Sequence, residues 1–196
     1  IHLFYVDLLD EFEKYLKNIP FSFDVLVSVV DKKYVKTVEE RLKTIKNANG
    51  VYVETVKNQG RDVAPFISTF GKKIMEYDYV MHIHSKKSLF TGGEQTEWRI
   101  YLLDSLMGSE EIIKSNMYIL ENGENVGMVY PETFYEMPYY GHTWLRNKQS
   151  RDELLTRIGV NVKSKDIYID YPMGTMFIAR VNAIKEFFSA NIKTEE

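Results

Sequence analysis

The feature that most constrains the fold is a succession of short apolar, β-branched runs separated by segments of helical period. Phe23-Asp24-Val25-Leu26-Val27-Ser28-Val29-Val30 is suited to a buried strand. Val35, Val38, Leu42 and Ile45 then recur at the spacing of one helical face. A turn at Asn49-Gly50 leads to a further strand over Val51 to Val56. The same alternation brackets this unit. Ile1 to Val6 reads as an opening strand, followed by Leu8, Leu9, Phe12, Tyr15 and Leu16 on a helical face, with Asn18-Ile19-Pro20 as the break. Asp62 through Met75 reads as a helix with Pro65 in its first turn, and Tyr77 to Ile83 as a fourth strand. Repeated strand, helix and strand predict an α/β fold: a predominantly parallel sheet of at least four strands flanked by helices.

The second half is less regular. Trp98, Tyr101, Leu102, Leu103 and Leu106 predict a helix ended by Gly108, and a second helix spans roughly Ser109 to Leu120. A short strand is expected at Val126 to Tyr130, and a final one within Tyr171 to Arg180. Leu154, Leu155 and Ile158 support a short helix, and Ala183, Ile184, Phe187 and Phe188 a terminal one. The aromatic stretch from Pro131 to Asn147 has no clean period and reads as an ordered loop or lid beside a pocket, or as a plug for the end of the sheet.

With 196 residues, 44% of them hydrophobic and 14% aromatic, one domain with a substantial core is expected, and the opening in mid-strand suggests excision from a longer protein. A net charge of -3 argues against a protein that mainly neutralises a nucleic-acid backbone. The absence of cysteine excludes a disulfide framework, a thiolate nucleophile and thiolate-bound zinc. No run is long and apolar enough to be a membrane span.

Two segments at strand exits carry the candidate chemistry. In Asn58-Gln59-Gly60-Arg61-Asp62, Gly60 permits a tight turn and the following amides can bind an anionic oxygen. Arg61 can add a bidentate contact to a diphosphate, and Asp62 can cap the helix or accept a sugar hydroxyl. The bland alternative is a surface turn held by an Arg-Asp pair. In His82-Ile83-His84-Ser85-Lys86-Lys87-Ser88, the two histidines share one face of an extended strand. They can bind phosphate or sugar hydroxyls, while Lys86 and Lys87 neutralise a diphosphate. Two histidines without a clear third ligand do not make a zinc site, and the bland reading is a solvated lysine pair beside a satisfied histidine. Arg99 can reach either a phosphate or an acidic helix residue, whereas Trp98 reads as packing. Gly174 allows close approach of a ligand or a neighbouring backbone, and Asp166 and Asp170 can supply a carboxylate for acceptor activation or serve as caps. There is no P-loop, no dinucleotide fingerprint and no specified Ser-His-Asp triad.

Asn58 to Phe66, Tyr79 to Ser88 followed by Trp98-Arg99, and Tyr171 to Arg180, in that order, closely resemble the rhamnan synthesis protein F family of bacterial cell-surface polysaccharide assembly. The likeness covers nearly the whole chain. It implies transfer of a nucleotide-activated sugar, with dTDP-rhamnose as the expected donor, to a glycan acceptor. The family also looks like a relative of GT-A glycosyltransferases, which commonly place an acidic metal-binding pair after the strand corresponding to Tyr79 through Ile83. This chain has His82, His84, Lys86 and Lys87 there, so no divalent metal is assigned and positive side chains are expected to stabilise the departing diphosphate.

The expected donor set is Asn58, Gly60, Arg61, Asp62, His82, His84, Lys86, Lys87 and Arg99. The expected acceptor side is Tyr140, His142 and Gly174, with Asp166 or Asp170 as the base. The expected setting is cytoplasmic, at the inner face of the membrane, with companion domains or assembly proteins as partners and no nucleic acid. A noncatalytic carbohydrate-recognition or assembly module is the alternative.

Overall fold

The computed structural model describes residues 1–87, 96–160, 168–190 and 192. Ser88, within one segment singled out above, and Asp166, one of the two expected bases, lie outside these residues. The fold is mixed α/β, with two small sheets flanked by helices. Strands β1 (Phe23–Val29) and β2 (Ala48–Thr55) pair in parallel, joined by helix α2 (Val35–Leu42). Strands β3 (Tyr79–His82), β4 (Met128–Val129) and β5 (Phe177–Arg180) form the second sheet in the order β3-β5-β4, with β5 antiparallel to both neighbours.

The opening segment connects the two sheets. His2 makes parallel bridges to Ser28 on one side and His84 on the other. Its ladder consists of Leu3 N–H to Ser28 O, Ser28 N–H to Ile1 O, His2 N–H to Ile83 O and Ser85 N–H to His2 O, all at 2.8–3.1 Å. The strand expected over Ile1 to Val6 is therefore cut to its first three residues, because Val6–Leu8 turns into a 3-10 helix that opens α1 (Leu9–Leu16). Across these bridges the lateral order is β2, β1, the opening segment, β3, β5 and β4. Among the described residues, only β5 runs against the rest.

Three expectations need correction. The single, predominantly parallel sheet is replaced by a parallel pair and an antiparallel trio, because β5 returns beside β3 in the reverse direction. Asn49-Gly50 is not a turn but part of β2. There the Gly50 N–H donates to the Asp24 carboxylate at 2.8 Å, and a Cβ at Gly50 would lie 2.7 Å from the Tyr52 ring. The helix expected over Asp62 to Met75 is broken. A π-helical turn at Pro65–Thr69, closed by Phe70 N–H to Pro65 O at 3.1 Å, precedes α3 (Gly71–Ile74).

Helices α4 (Thr96–Met107), α5 (Glu110–Asn122), α6 (Lys148–Arg157) and α7 (Val181–Ser189) complete the chain. The Ser109 hydroxyl caps α5 by accepting from Ile112 N–H. The apolar interior lies in two clusters. The larger one joins Leu3, Phe12 and Leu16 of the first helix region to Leu102, Leu106 and Ile113 of α4 and α5. The smaller one packs Phe70 and Ile74 against Phe177, Ile184 and Phe188. No helix among the described residues is long and apolar enough to cross a membrane.

Candidate functional site

Parallel strands deliver their exits to one end of a sheet, and an antiparallel neighbour delivers its entry to that same end. Here the exits of the opening segment, β2 and β3 meet the entry of β5. The result is one cluster of Asp62, His82, His84, Gly174 and Thr175, with His2 and Ser28 beside it.

Its hydrogen bonds fix most proton positions. His82 Nδ1 donates to Thr175 O at 2.7 Å and His84 Nε2 donates to Gly174 O at 2.8 Å, since a carbonyl only accepts. The Thr175 hydroxyl donates to Asp62 Oδ2 at 2.6 Å, and His84 Nε2 stands 3.9 Å from that oxygen. His2 Nδ1 lies 2.8 Å from Ser28 Oγ. His82 Nε2 has no hydrogen-bond partner among the described residues, and its ring packs beside Phe66 and Phe177 at 4.5 and 5.4 Å.

Backbone strain gathers at this cluster. Gly60 and Arg61 have φ of 70° and 53°, and Gly174 and Thr175 of 97° and 56°. A β-branched residue at positive φ is a steric outlier, and Thr175 is held there by Thr175 N–H to Pro172 O and by the Asp62 carboxylate. A Cβ on Gly174 would approach Leu102 Cδ1 to 2.7 Å and Trp98 Cζ2 to 3.4 Å, so glycine permits the close approach that sequence reasoning expected there.

Burial sets the charge state. It pushes His82 down to about 3 and His2 down to about 4, and it lowers His84 as well. All three rings are neutral near pH 7. For Asp62, burial alone would raise the carboxyl, but the neighbouring His84, the Thr175 hydroxyl and His82 outweigh it and hold the group below the usual carboxylate range. Lys86 is lowered by burial, partly offset by Asp62, with Arg61 acting in the same direction as burial. Its ammonium lies 4.0 Å from the centroid of the Trp98 ring. The cluster thus presents one buried carboxylate edged by two cations, Arg61 and Lys86, whose fields reach each other.

The other expected residues are placed differently. Arg99 is only 2% exposed. It donates through Nε to Glu11 Oε1 at 2.8 Å and through one terminal nitrogen to Lys86 O at 2.8 Å, so it positions the lysine backbone. Lys87 turns away to Asp7, 2.6 Å distant. Asn58 and Gly60 lie exposed on the turn before Asp62. Asp170 is exposed beside Tyr130, where burial first and the Asp170 charge second push the phenol up. Tyr140 is exposed in the 3-10 turn Tyr139–His142, and His142 Nδ1 lies 3.3 Å from Ile169 O. This aromatic loop is tied to the segment leading into Gly174 by Ile169 N–H to His142 O at 2.7 Å and by the Tyr171 hydroxyl to Gly141 O at 2.9 Å.

Sequence reasoning missed His2, Ser28 and Thr175. His2 lay in a strand read only for its apolar character. Thr175 was visible as the residue after a glycine at a strand entry, but its role depends on a positive φ that no propensity signals. Among the described residues no three His, Asp or Glu side chains are grouped to hold a metal ion.

No curated protein and no solved structure matches the chain significantly. The model of the family Rhamnan synthesis protein F matches residues 1–196, and the chain belongs to that family.

Proposed function

We propose that the chain is a glycosyltransferase-like domain of bacterial cell-surface polysaccharide synthesis, with an activated sugar, dTDP-rhamnose in the first instance, as donor and a glycan hydroxyl as acceptor. The observation that carries this reading is the convergence of Arg61-Asp62, His84 to Lys86 and Gly174-Thr175 at one end of the strands. In the proposed reaction the acceptor oxygen bonds to the anomeric carbon while the bond from that carbon to the diphosphate oxygen breaks. The electron pair leaves with the nucleoside diphosphate and the acceptor proton passes to a carboxylate. Arg61 and Lys86 stabilise the departing charge, a service that a partly desolvated site makes stronger than water would allow. His84 orients a donor oxygen, and the aromatic loop carrying Tyr140 and His142 faces the acceptor.

The GT-A-like part of the reading is supported by the lateral strand order, in which five segments run one way and β5 alone runs against them. Asp166 or Asp170 remains the proposed base, and a position at the inner face of the membrane beside companion domains the proposed setting. The alternative, a carbohydrate-recognition or assembly module, draws on the inward hydrogen bonding of the cluster, where His82 Nδ1, His84 Nε2 and the Thr175 hydroxyl all bond to the protein itself.

The test is donor titration and turnover with dTDP-rhamnose and cell-surface glycan acceptors for wild type, Arg61→Ala and Lys86→Ala, with circular dichroism as the folding control. Loss of one charge-assisted phosphate contact is expected to cost about 1 to 3 kcal/mol, roughly 5- to 150-fold in Kd. Folded variants with unchanged binding and turnover would remove both residues from the site. Glycan binding without turnover in wild type would favour the recognition module.

A further inference from the structure

Three non-glycine residues among those described have positive φ, and two of them, Arg61 and Thr175, flank a single hydrogen bond. Thr175, at φ 56°, donates its hydroxyl to Asp62 Oδ2 at 2.6 Å, and Arg61, at φ 53°, directly precedes Asp62. Each follows a glycine that is itself left-handed, Gly60 at 70° and Gly174 at 97°. Two left-handed turns are thus closed on each other by one side-chain contact.

A non-glycine residue in this region is strained and persists only where its surroundings hold it. At Gly174-Thr175 the backbone is held from three sides. His84 Nε2 donates to Gly174 O at 2.8 Å, His82 Nδ1 to Thr175 O at 2.7 Å, and Thr175 N–H to Pro172 O at 2.8 Å. None of these bonds needs the hydroxyl. Of its two acceptors, Asp62 Oδ2 at 2.6 Å and Gly174 O at 2.8 Å, the carboxylate is the closer and the charged one, so the hydroxyl proton goes there.

An ionised carboxylate accepts about four hydrogen bonds and donates none. In Asp62 the Thr175 hydroxyl and the residue's own backbone N–H take up part of that capacity, and 11% of the side chain stays exposed. The remaining positions suit a neutral hydroxyl donor. A phosphate oxygen is repelled by the carboxylate, whereas Arg61 and Lys86, which feel each other's charge at this cluster, attract it.

We propose that Asp62 binds the pyranose hydroxyls of the donor and that Thr175 is its positioning residue, holding one carboxylate oxygen so that the other faces the sugar. The inference rests on the donor reading above and adds a polarity to it. The diphosphate lies on Arg61 and Lys86, and the sugar lies against Asp62. The two left-handed turns then share one task, since each places one partner of the contact between Asp62 and Thr175.

The test is calorimetric titration of the 196-residue chain with dTDP-rhamnose and with dTDP alone, for wild type, Thr175→Val and Thr175→Ser. Wild type is expected to bind the sugar nucleotide more tightly than dTDP. Thr175→Val keeps the branched shape and removes the hydroxyl. It is expected to weaken dTDP-rhamnose about 10-fold or more while changing dTDP less than about twofold. Thr175→Ser restores the hydroxyl and is expected to return dTDP-rhamnose to within about threefold of wild type. A merely structural threonine would move both ligands together. Equal losses for the two ligands would therefore overturn the proposal, assigning the contact to the nucleoside or to folding, and so would equal losses in the two variants. Should Thr175→Val fail to fold, wild type is titrated with dTDP-sugars that each lack one pyranose hydroxyl. One of them is expected to bind about 10-fold more weakly, and equal affinities throughout would overturn the proposal. Wild type that binds dTDP and dTDP-rhamnose equally overturns this inference alone. Wild type that binds neither overturns the donor reading and this inference with it.

Discussion

The strands β1 and β3 are separated by one strand's width along their length, and the protein treats the two ends of that gap in opposite ways. At the exit end the backbone of His2 fits between Ser28 and His84, and the side chains around it are held by hydrogen bonds, His2 Nδ1 to Ser28 Oγ and His84 Nε2 to Gly174 O. Toward the other end the gap opens into a cavity of about 620 Å³ with largely apolar walls, whose lining also reaches His2, Ser28, Asp62 and His82. Closure by directed bonds specifies particular residues, because each lost partner leaves a buried polar group unsatisfied. Apolar walls specify mainly volume. The proposed chemistry sits at the first end.

The largest effect expected from breaking the exit end is at Gly174. Gly174→Val would place a branched side chain at φ 97° with its Cβ 2.7 Å from Leu102 Cδ1. Backbone strain and overpacking together are expected to cost about 2 to 5 kcal/mol, read as a lower midpoint in denaturant unfolding. Gly159→Ala is the matched control. Its φ is 71° but nothing lies within 4 Å of the added Cβ, so only backbone strain of about 1 to 2 kcal/mol applies. Similar losses at both positions would show that the approach of Gly174 to Leu102 and Trp98 does not hold the end closed.

What the sequence revealed follows the same division. The β-branched runs located β1 to within a residue and the end of β2 likewise, though β2 starts three residues before the expected Val51, and the residue spacing placed α2, α4 and α5. Asn49-Gly50 misled because a turn signal says nothing about Asp24, which reaches across from β1 to bind the Gly50 amide. The direction of β5 was hidden because Phe177 to Arg180 has the same apolar character whichever way it runs. At the site, His82 and His84 were legible from their period of two. The partnership of Asp62 with Thr175, 113 residues apart in sequence, was not.

The histidines give the next prediction, of intermediate size. An unfolded histidine titrates near 6.5, whereas burial holds His82 at about 3 and His2 at about 4, and lowers His84 too. Below pH 6.5 the unfolded chain binds protons that the folded chain refuses, so stability falls as the pH drops toward 4. Each such group contributes a slope of at most about 1.4 kcal/mol per pH unit. Asp62 acts lower, its contribution being lost only as pH falls through its depressed folded value. His82→Phe, placed beside Phe66 and Phe177, should remove one proton's worth of slope between pH 6.5 and 4.5 in urea midpoints. An unchanged slope would mean that His82 is protonated in the folded chain and that the exit end is not the neutral cluster described.

The smallest expected effect separates two adjacent lysines that sequence alone treats alike. Lys86 is drawn inward, over the Trp98 ring and within the field of Asp62 and Arg61, with its carbonyl gripped by Arg99. Lys87 points to the other side of the chain and pairs with Asp7, whose side chain is 64% exposed. Such a pair contributes on the order of 0.2 to 1 kcal/mol, because water already screens one partner and ordering a long side chain offsets part of the attraction. Lys87→Ala should therefore shift the unfolding midpoint only slightly and change donor affinity less than about twofold, with the residual effect fading in high salt. Lys86→Ala should lower donor affinity at least fivefold under the same conditions. Measured together by donor titration at low and high salt, the pair of variants sharpens the contrast between a cation held at the closed end and one spent on the surface. If Lys87→Ala proved the more damaging to binding, the anion would have to enter from the Asp7 side, and the cluster built on Asp62, His84 and Thr175 would be a structural latch beside the site.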